Sequence, residues 1–149
     1  MYKTILVPLD GSKRAEAIMP YVKSLAECYG AQVILLHVVE SRSHIVGVDS
    51  MYPLLDQEAL ERHTKEAETY LAIQQGKLQN KGISSQVRLA YGPVVEEITQ
   101  AADREGADLI AMASHGRTGL DRVFYGSVAA GVLHRIDRPL LLIRSLGID

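Results

Sequence analysis

Residues 114–128 combine glycines, positive charge and a hydroxyl in an order that suits a bound anion. Gly116 and Gly126 let a ligand come close to the backbone. Gly126 and Ser127 precede a segment of helical spacing, and the free N–H groups and positive dipole end of a helix start attract anions. Arg117 adds positive charge to the same stretch. A glycine before a helix is by itself more often a plain turn, so the combination is what favours a phosphate site.

A second set of candidate residues follows the first apolar segment, in the order Pro8-Leu9-Asp10-Gly11-Ser12. The carboxylate of Asp10 can accept hydrogen bonds from the hydroxyls of a sugar. Asp and Ser are also preferred N-cap residues, so capping of the next helix explains Asp10 or Ser12 equally well.

Apolar segments of strand length alternate with segments of helical period, and this alternation predicts the elements that position both sets. The predicted strands are Ile5-Leu6-Val7, Val33-Ile34-Leu35-Leu36, a segment around Val87 and Leu89, Leu109-Ile110-Ala111-Met112 and Leu140-Leu141-Leu142-Ile143. Helices are predicted at about residues 12–29, with a kink at Pro20, at about 56–80, from Gly92-Pro93 to Gly106, and from Gly126-Ser127 onward. Near-continuous apolar strands indicate burial on both faces of the sheet.

The resulting βαβαβαβαβ pattern predicts one α/β domain over residues 1–149, with a doubly wound parallel sheet and four helices on its two faces. Ligands of such sheets bind outside the carboxyl ends of the strands, where the strand order reverses. Both candidate sets follow strands at that edge. Residues 41–55 exceed the usual connection of about 2–6 residues, which indicates either a flap over a site or a variable surface loop.

Composition limits the function classes. The chain has 149 residues and a net charge of −2, which argues against nucleic acid as a partner. Cys28 is the single cysteine, so no intramolecular disulfide can form, and a reducing compartment is the simpler expectation. We expect the Cys28 side chain to be buried as a small hydrophobic group. No apolar run approaches the roughly 20 residues that span a bilayer, and the N-terminus has no signal-peptide pattern. We therefore expect a cytoplasmic protein without a membrane partner.

The sequence lacks the motifs of several classes of catalytic or phosphorylated protein. No P-loop is present, so fast ATP hydrolysis is not expected, although slow turnover stays open. The third strand ends in Leu89-Ala90-Tyr91, without the aspartate that a phosphorylated receiver domain needs. The histidines lack metal-ligand spacing, and no Gly-x-Ser-x-Gly nucleophile elbow occurs.

The stretch that ends in Gly126-Ser127 resembles the nucleotide-binding members of the universal stress protein family. Their pattern is a glycine, two residues, a second glycine, nine residues, and then glycine with serine or threonine. Gly116, the nine residues 117–125 and Gly126-Ser127 match it, whereas Ala113 occupies the first glycine position. Further segments match the family in order: Lys3 to Ser12, Leu35-Leu36-His37-Val38, Gly92-Pro93 and Arg138 to Arg144.

The resemblance implies a role for each matching residue. Asp10 would hold a ribose, with Pro8 and Leu9 shaping the cavity beside it, and Val38 would meet adenine through its backbone. The remaining implied contacts to ribose and phosphates are Met112, Ala113, His115, Gly116, Arg117, Gly126, Ser127 and Val128. For His115 a structural role in the loop is at least as plausible. The implied ligand is ATP, with or without Mg²⁺; AMP or another adenine nucleotide stays open.

The family's sheet order, 3-2-1-4-5, would place the last strand at an edge. Leu140-Leu141-Leu142-Ile143 is apolar on both faces, and an exposed apolar edge promotes association. The resemblance thus implies a homodimer through this strand, and a nucleotide-dependent switch in the response to stress. A slow ATPase or another adenine-nucleotide-processing enzyme is the alternative.

Overall fold

The computed structural model describes residues 1–40, 53–115 and 126–145, with the backbone alone at 53–56 and at 115. Five parallel strands form one sheet in the order β3-β2-β1-β4-β5. The strands are β1 (Thr4–Pro8), β2 (Gln32–Val39), β3 (Ser85–Tyr91), β4 (Leu109–His115) and β5 (Leu140–Ser145). The predicted doubly wound fold and its strand order are confirmed.

The helices follow the prediction with two differences in their bounds. They are α1 (Lys13–Glu16), α2 (Met19–Tyr29), α3 (Pro53–Gln79), α4 (Val94–Glu105) and α5 (Ser127–Arg135). The first predicted helix is thus divided into α1 and α2. Pro20 lies in the first turn of α2, where its missing N–H group is not needed, so the chain starts a new helix instead of kinking within one.

The start of α3 at Pro53 corrects the predicted irregular segment, whose last three positions are helical. Residues 41–52, the rest of that segment, lie outside the described residues, so its role as a flap or a surface loop stays a prediction.

Two hydrophobic clusters cover the two faces of the sheet. Side chains alternate along a strand, so Ile5 and Val7 of β1 join the cluster under α2 and α3, while Leu6 joins the cluster under α4 and α5. Leu71 of α3 and Val132 of α5 are fully buried in these clusters. Burial of such a side chain contributes roughly 1.5–3 kcal/mol, so these helix faces anchor the layers that carry the strand ends.

The prediction that Cys28 is buried is wrong, because its thiol is exposed on α2. The buried face of α2 consists of Met19, Val22 and Ala26, and Cys28 falls outside that stripe. Within the described ranges, no helix is both long enough and apolar enough to cross a membrane.

The strand order reverses at β1. The chain moves from β1 to β2 and β3 on one side of the sheet, and then crosses back to β4 and β5 on the other. The carboxyl ends of β1 and β4 therefore flank the crevice in which open α/β sheets hold their ligands.

Candidate functional site

A cavity of about 380 Å³ lies at the carboxyl ends of β1, β2 and β4, at the reversal of strand order. Its volume falls in the range of about 300–1,000 Å³ that is usual for small-molecule sites. Most of the predicted site residues line it: Pro8, Leu9, Asp10, Val38, Met112, Ala113, Gly126 and Val128. The two candidate sets, more than 100 positions apart in the chain, thus meet at one cavity.

The other four predicted site residues are not among the described lining of the cavity. Ser127 is exposed and does not line the cavity, although both of its neighbours in the chain do. His115 is the last residue of β4, and its side chain is not described. Gly116 and Arg117 lie outside the described residues.

Further lining residues were not found from the sequence. They are Arg14, Ala15, Leu36, His37, Val39, Glu40, His63, Val94, Ile98, Ser114 and Ala129. A signal existed for His37 and Val39, which flank Val38, and for Arg14, which lies in the first turn of the helix after the Asp10 loop. No local signal marked His63, because the packing of α3 on the sheet brings it to the cavity.

The carboxylate of Asp10 holds the loop between β1 and α1 in a turn. Its Oδ1 accepts a hydrogen bond from the N–H of Ser12 at 2.9 Å and another from the Ser12 hydroxyl at 2.6 Å. The Ser12 hydroxyl oxygen in turn accepts from the N–H of Ala15 at 3.1 Å, which makes Ser12 the N-cap of α1. Asp10 therefore does not cap the helix itself. Its Oδ2 accepts no hydrogen bond from any described residue.

Leu9 joins this loop to β2 through both of its backbone groups. Its N–H donates to the carbonyl oxygen of Leu36 at 2.8 Å. Its carbonyl oxygen lies 2.9 Å from Nδ1 of His37. Because a carbonyl can only accept, Nδ1 carries the proton and donates it. The residue before Asp10 is thus held in place by hydrogen bonds of both its N–H and its C=O group.

The backbone of Val38 lies where β2 extends past the end of β1. β1 pairs with β2 only as far as Leu36, whose carbonyl accepts from Leu9. On the opposite side of β2, the carbonyl of Val39 accepts from the N–H of Gly92 at 3.3 Å. Alternate residues of a parallel strand direct their N–H and C=O groups to the same neighbour. Those of Val38 therefore point toward the side of β1, beyond its end.

Gly126 is the N-cap of α5 and has φ 75° and ψ 147°, a conformation that is essentially restricted to glycine. Its carbonyl accepts from the N–H of Ala130 at 3.0 Å, which closes the first turn. The intervening N–H groups, those of Ser127, Val128 and Ala129, have no acceptor within a helix. No side chain caps α5 in the part of the chain that the structure describes. Donors without acceptors thus face a cavity that Gly126 and Val128 line.

Apolar walls and a charged rim complete the cavity. Leu36, Ile98 and Met112 are buried side chains of its wall. Its charged members are two carboxylates, Asp10 and Glu40, and the guanidinium of Arg14. Among the residues with described side chains, no group of three or more His, Cys, Asp or Glu could hold a metal ion. The arrangement suits a ligand with a flat apolar part, hydroxyls and an anionic end.

Fold and site together define a small doubly wound α/β protein with a ligand cavity at its topological switch point. The family model described as the universal stress protein family matches residues 1–144. This chain therefore belongs to the universal stress protein family, and the resemblance seen in its sequence is confirmed.

A relative with a solved structure supports this assignment. Universal stress protein MJ0577 of Methanocaldococcus jannaschii is 30% identical over 155 aligned residues, which cover 97% of this chain and 96% of the relative. A solved structure of MJ0577 matches this fold with a TM-score of 0.84 and 32% identity over 99% of each chain.

Two other solved structures share the fold at 19% identity. One is a universal stress protein in complex with cAMP, with a TM-score of 0.64 and coverage of 97% of this chain and 98% of that chain. The other is the universal stress protein from Archaeoglobus fulgidus in complex with dAMP, with a TM-score of 0.65 and coverage of 95% and 98%.

Proposed function

We propose that this protein binds an adenine nucleotide, foremost ATP with Mg²⁺, in the cavity between β1, β2, β4 and α5. The observation that carries the proposal is the meeting, at one cavity, of the Asp10 loop, the free backbone edge at Val38 and the unpaired N–H groups of α5. The cAMP and dAMP complexes of two proteins with this fold support the choice of an adenine nucleotide.

The base and sugar have specific partners in this proposal. The carbonyl of Val38 accepts from the exocyclic amine of adenine, and the N–H of Val38 donates to a ring nitrogen. Apolar side chains such as Ile98 and Met112 supply the walls against which a flat base packs. The free Oδ2 of Asp10 accepts from a ribose hydroxyl, while Oδ1 stays bound to Ser12.

The phosphates bind at the start of α5. N–H groups of a helix N-terminus bind phosphate well because their positive charge is already oriented. Gly126, Ser127 and Val128 supply these groups, and Met112, Ala113, His115, Gly116 and Arg117 complete the proposed phosphate and ribose contacts. Mg²⁺ arrives on the phosphates, which is its usual mode of binding in nucleotide sites.

Calorimetric titration with Mg·ATP, Mg·GTP and adenosine tests the proposal. The protein is first extracted and analysed for co-purified nucleotide, so that a filled site is not mistaken for an inert one. We expect saturable ATP binding near one site per chain. GTP should bind about tenfold more weakly, because its base presents a carbonyl where adenine has an amine. The Val38 carbonyl then loses its donor, and a desolvated polar group without a partner costs roughly 1–3 kcal/mol.

Asp10→Asn sharpens this test, and Asp108→Asn is its matched control. Asp108 lies at the amino ends of β1 and β4, away from the cavity, where its carboxylate accepts from the N–H groups of Lys3 and Thr4. We expect Asp10→Asn to weaken ATP roughly tenfold through the ribose hydroxyl, and Asp108→Asn to lower only stability. No heat with ATP and an empty extract would contradict the proposal. Phosphate release is measured in the same samples. Steady release would indicate a slow ATPase, whereas binding without release would support a switch.

We further propose a homodimer in which β5 pairs with β5 of a second copy, so that nucleotide occupancy alters the surface shown to a protein partner. Among the described strands, β5 pairs only with β4, and Leu140, Leu141, Leu142 and Ile143 are all partly exposed. The other edge strand, β3, carries Arg88 at its centre, which pairs with Glu105 at 2.6 Å, whereas the one arginine of β5, Arg144, follows its four apolar residues. A charged edge discourages pairing, whereas an apolar edge favours it.

Light scattering at micromolar concentration should give the mass of two chains. Leu142→Arg should give the mass of one chain, because it places a charge in the proposed contact. Leu89→Arg on β3, which is also partly buried at an edge, is the control and should stay dimeric. Both variants are checked by thermal unfolding, and a wild-type mass of one chain would refute the dimer.

A further inference from the structure

Arg14 is the one lysine or arginine among the described residues that line the cavity, and its position is fixed by the elements around it. It is the second residue of α1, two positions after the N-cap Ser12. Helix α1 contacts β4, the strand that leads into the segment with Gly116. At the other end of α1, the hydroxyl of Tyr70 donates to Oε2 of Glu16 at 3.0 Å. Both ends of this short helix are therefore anchored.

The guanidinium of Arg14 has no hydrogen bond or ion pair with any described residue. Three other arginines do form ion pairs: Arg88 with Glu105, Arg135 with Glu96 and Arg138 with Asp103. Arg14 is also partly buried. A cation that loses part of its hydration without gaining an acceptor is unfavourable, and an anion in the cavity removes that cost.

The charges of the rim lead to the same conclusion. Asp10 and Glu40 are the described carboxylates of the lining, and their charge opposes the entry of a polyphosphate. The N–H groups of α5 carry only a partial positive charge, equivalent to about half a unit. His37 and His63 also line the cavity, and the former already donates to Leu9. Arg14 supplies the one full positive charge among the described lining residues, against the two carboxylates.

We propose that Arg14 is a phosphate-binding residue that makes the affinity of this chain rise with the number of phosphates on the ligand. The inference rests on the proposed adenine-nucleotide function and deepens it. A planar guanidinium forms two parallel hydrogen bonds to phosphate oxygens, which an ammonium cannot reproduce. Arg14 on α1 and the amides of α5 then hold the phosphates from two different elements.

The test is a set of calorimetric titrations with adenosine, AMP, ADP and ATP. The variants are Arg14→Gln, Arg14→Lys and Lys13→Gln. Lys13 is the matched control, because it is the adjacent cation, it is exposed, and it does not line the cavity. Thermal unfolding of each variant confirms that it is native.

We expect Arg14→Gln to weaken ATP at least about tenfold, as loss of a charge-assisted hydrogen bond does, and to leave adenosine unchanged. Arg14→Lys should fall between Arg14→Gln and wild type. Lys13→Gln should match wild type within about twofold for all four ligands, since exposed charges contribute little.

Three outcomes would overturn the inference. Equal losses for adenosine and ATP would mean that Arg14 only supports the shape of the cavity. An unchanged ATP affinity would mean that its guanidinium contacts no phosphate. In both cases wild type still binds ATP, so the proposed function stands. If wild type binds none of the four ligands, both the proposed function and the role of Arg14 are wrong.

Discussion

The loop after β1 and the start of α5 border the same cavity, yet they satisfy their polar groups in opposite ways. In the loop, Leu9 is bonded through both backbone groups, and Asp10 and Ser12 bond to each other. At α5, Gly126 caps the helix without a side chain, and the next N–H groups have no described acceptor. One region satisfies its polar groups internally, and the other leaves donors for water or a ligand.

The difference indicates how the two regions divide the work of binding. A loop held by internal hydrogen bonds is already in its binding conformation, so it adds specificity at little entropic cost. Unpaired N–H groups are costly when they lose water, so an anion that pairs with them gains affinity. We therefore expect the Asp10 loop to select the nucleoside and α5 to supply most of the binding energy for phosphates.

The largest effect that distinguishes the regions should come from Gly126→Ala, with Gly30→Ala as the matched control. Both glycines have positive φ, 75° and 65°, and both cap a helix. Strain should lower the free energy of unfolding of each variant by about 1–3 kcal/mol. Only Gly126→Ala should also weaken ATP, by at least about tenfold, because it turns the amides of α5 away from the phosphates. Calorimetry beside thermal unfolding measures both quantities, and equal ATP affinity in the two variants would contradict the comparison.

Amide hydrogen exchange gives a second test, of intermediate size. At an ATP concentration of about 100 Kd, every amide that exchanges through global unfolding should slow roughly 100-fold. The N–H groups of Ser127, Val128 and Ala129 should gain additional protection, since they begin without acceptors. The N–H groups of Leu9 and Ser12, which are already bonded, should show only the global effect. Uniform protection across both regions would show that α5 does not hold the phosphates.

The smallest effect concerns Tyr70, which supports the loop side of the cavity through Glu16. Burial, reinforced by the hydrogen bond to Glu16 and by the charges of Glu16 and Asp10, raises the pKa of Tyr70. The unfolded phenol ionises near pH 10, so above that pH the unfolded state releases a proton that the folded state keeps. The stabilisation is therefore complete below about pH 10 and declines as the pH rises further.

Tyr70→Phe should accordingly lose about 0.5–1.5 kcal/mol of unfolding free energy at pH 7, the usual worth of one hydrogen bond. Its stability should then decline less steeply than that of wild type between about pH 10 and 11. Urea denaturation at pH 7 and across that interval measures the slopes. Parallel slopes in the two proteins would show that Tyr70 does not tie α1 to α3 as described.

Much of the site was predictable because its residues directly follow strands. Pro8, Leu9 and Asp10 come after a buried apolar run, and the carboxyl ends of parallel strands share one edge. Gly126 was recognisable as a helix start for the same local reason. His63 was not predictable, because it lies within α3 and reaches the cavity only through the packing of that helix on β2 and β3.

By itself, the sequence determined the order of strands and helices and the faces that they bury, because both are encoded in the local spacing of apolar residues. The tertiary structure decided which polar groups form hydrogen bonds within the protein and which are available to a ligand at the cavity. Ser12, and not Asp10, caps α1, and Oδ2 of Asp10 accepts no hydrogen bond from any described residue. Arg14 faces a cavity while Lys13 faces solvent. Such choices depend on the positions of residues far away in the chain, which local spacing does not encode.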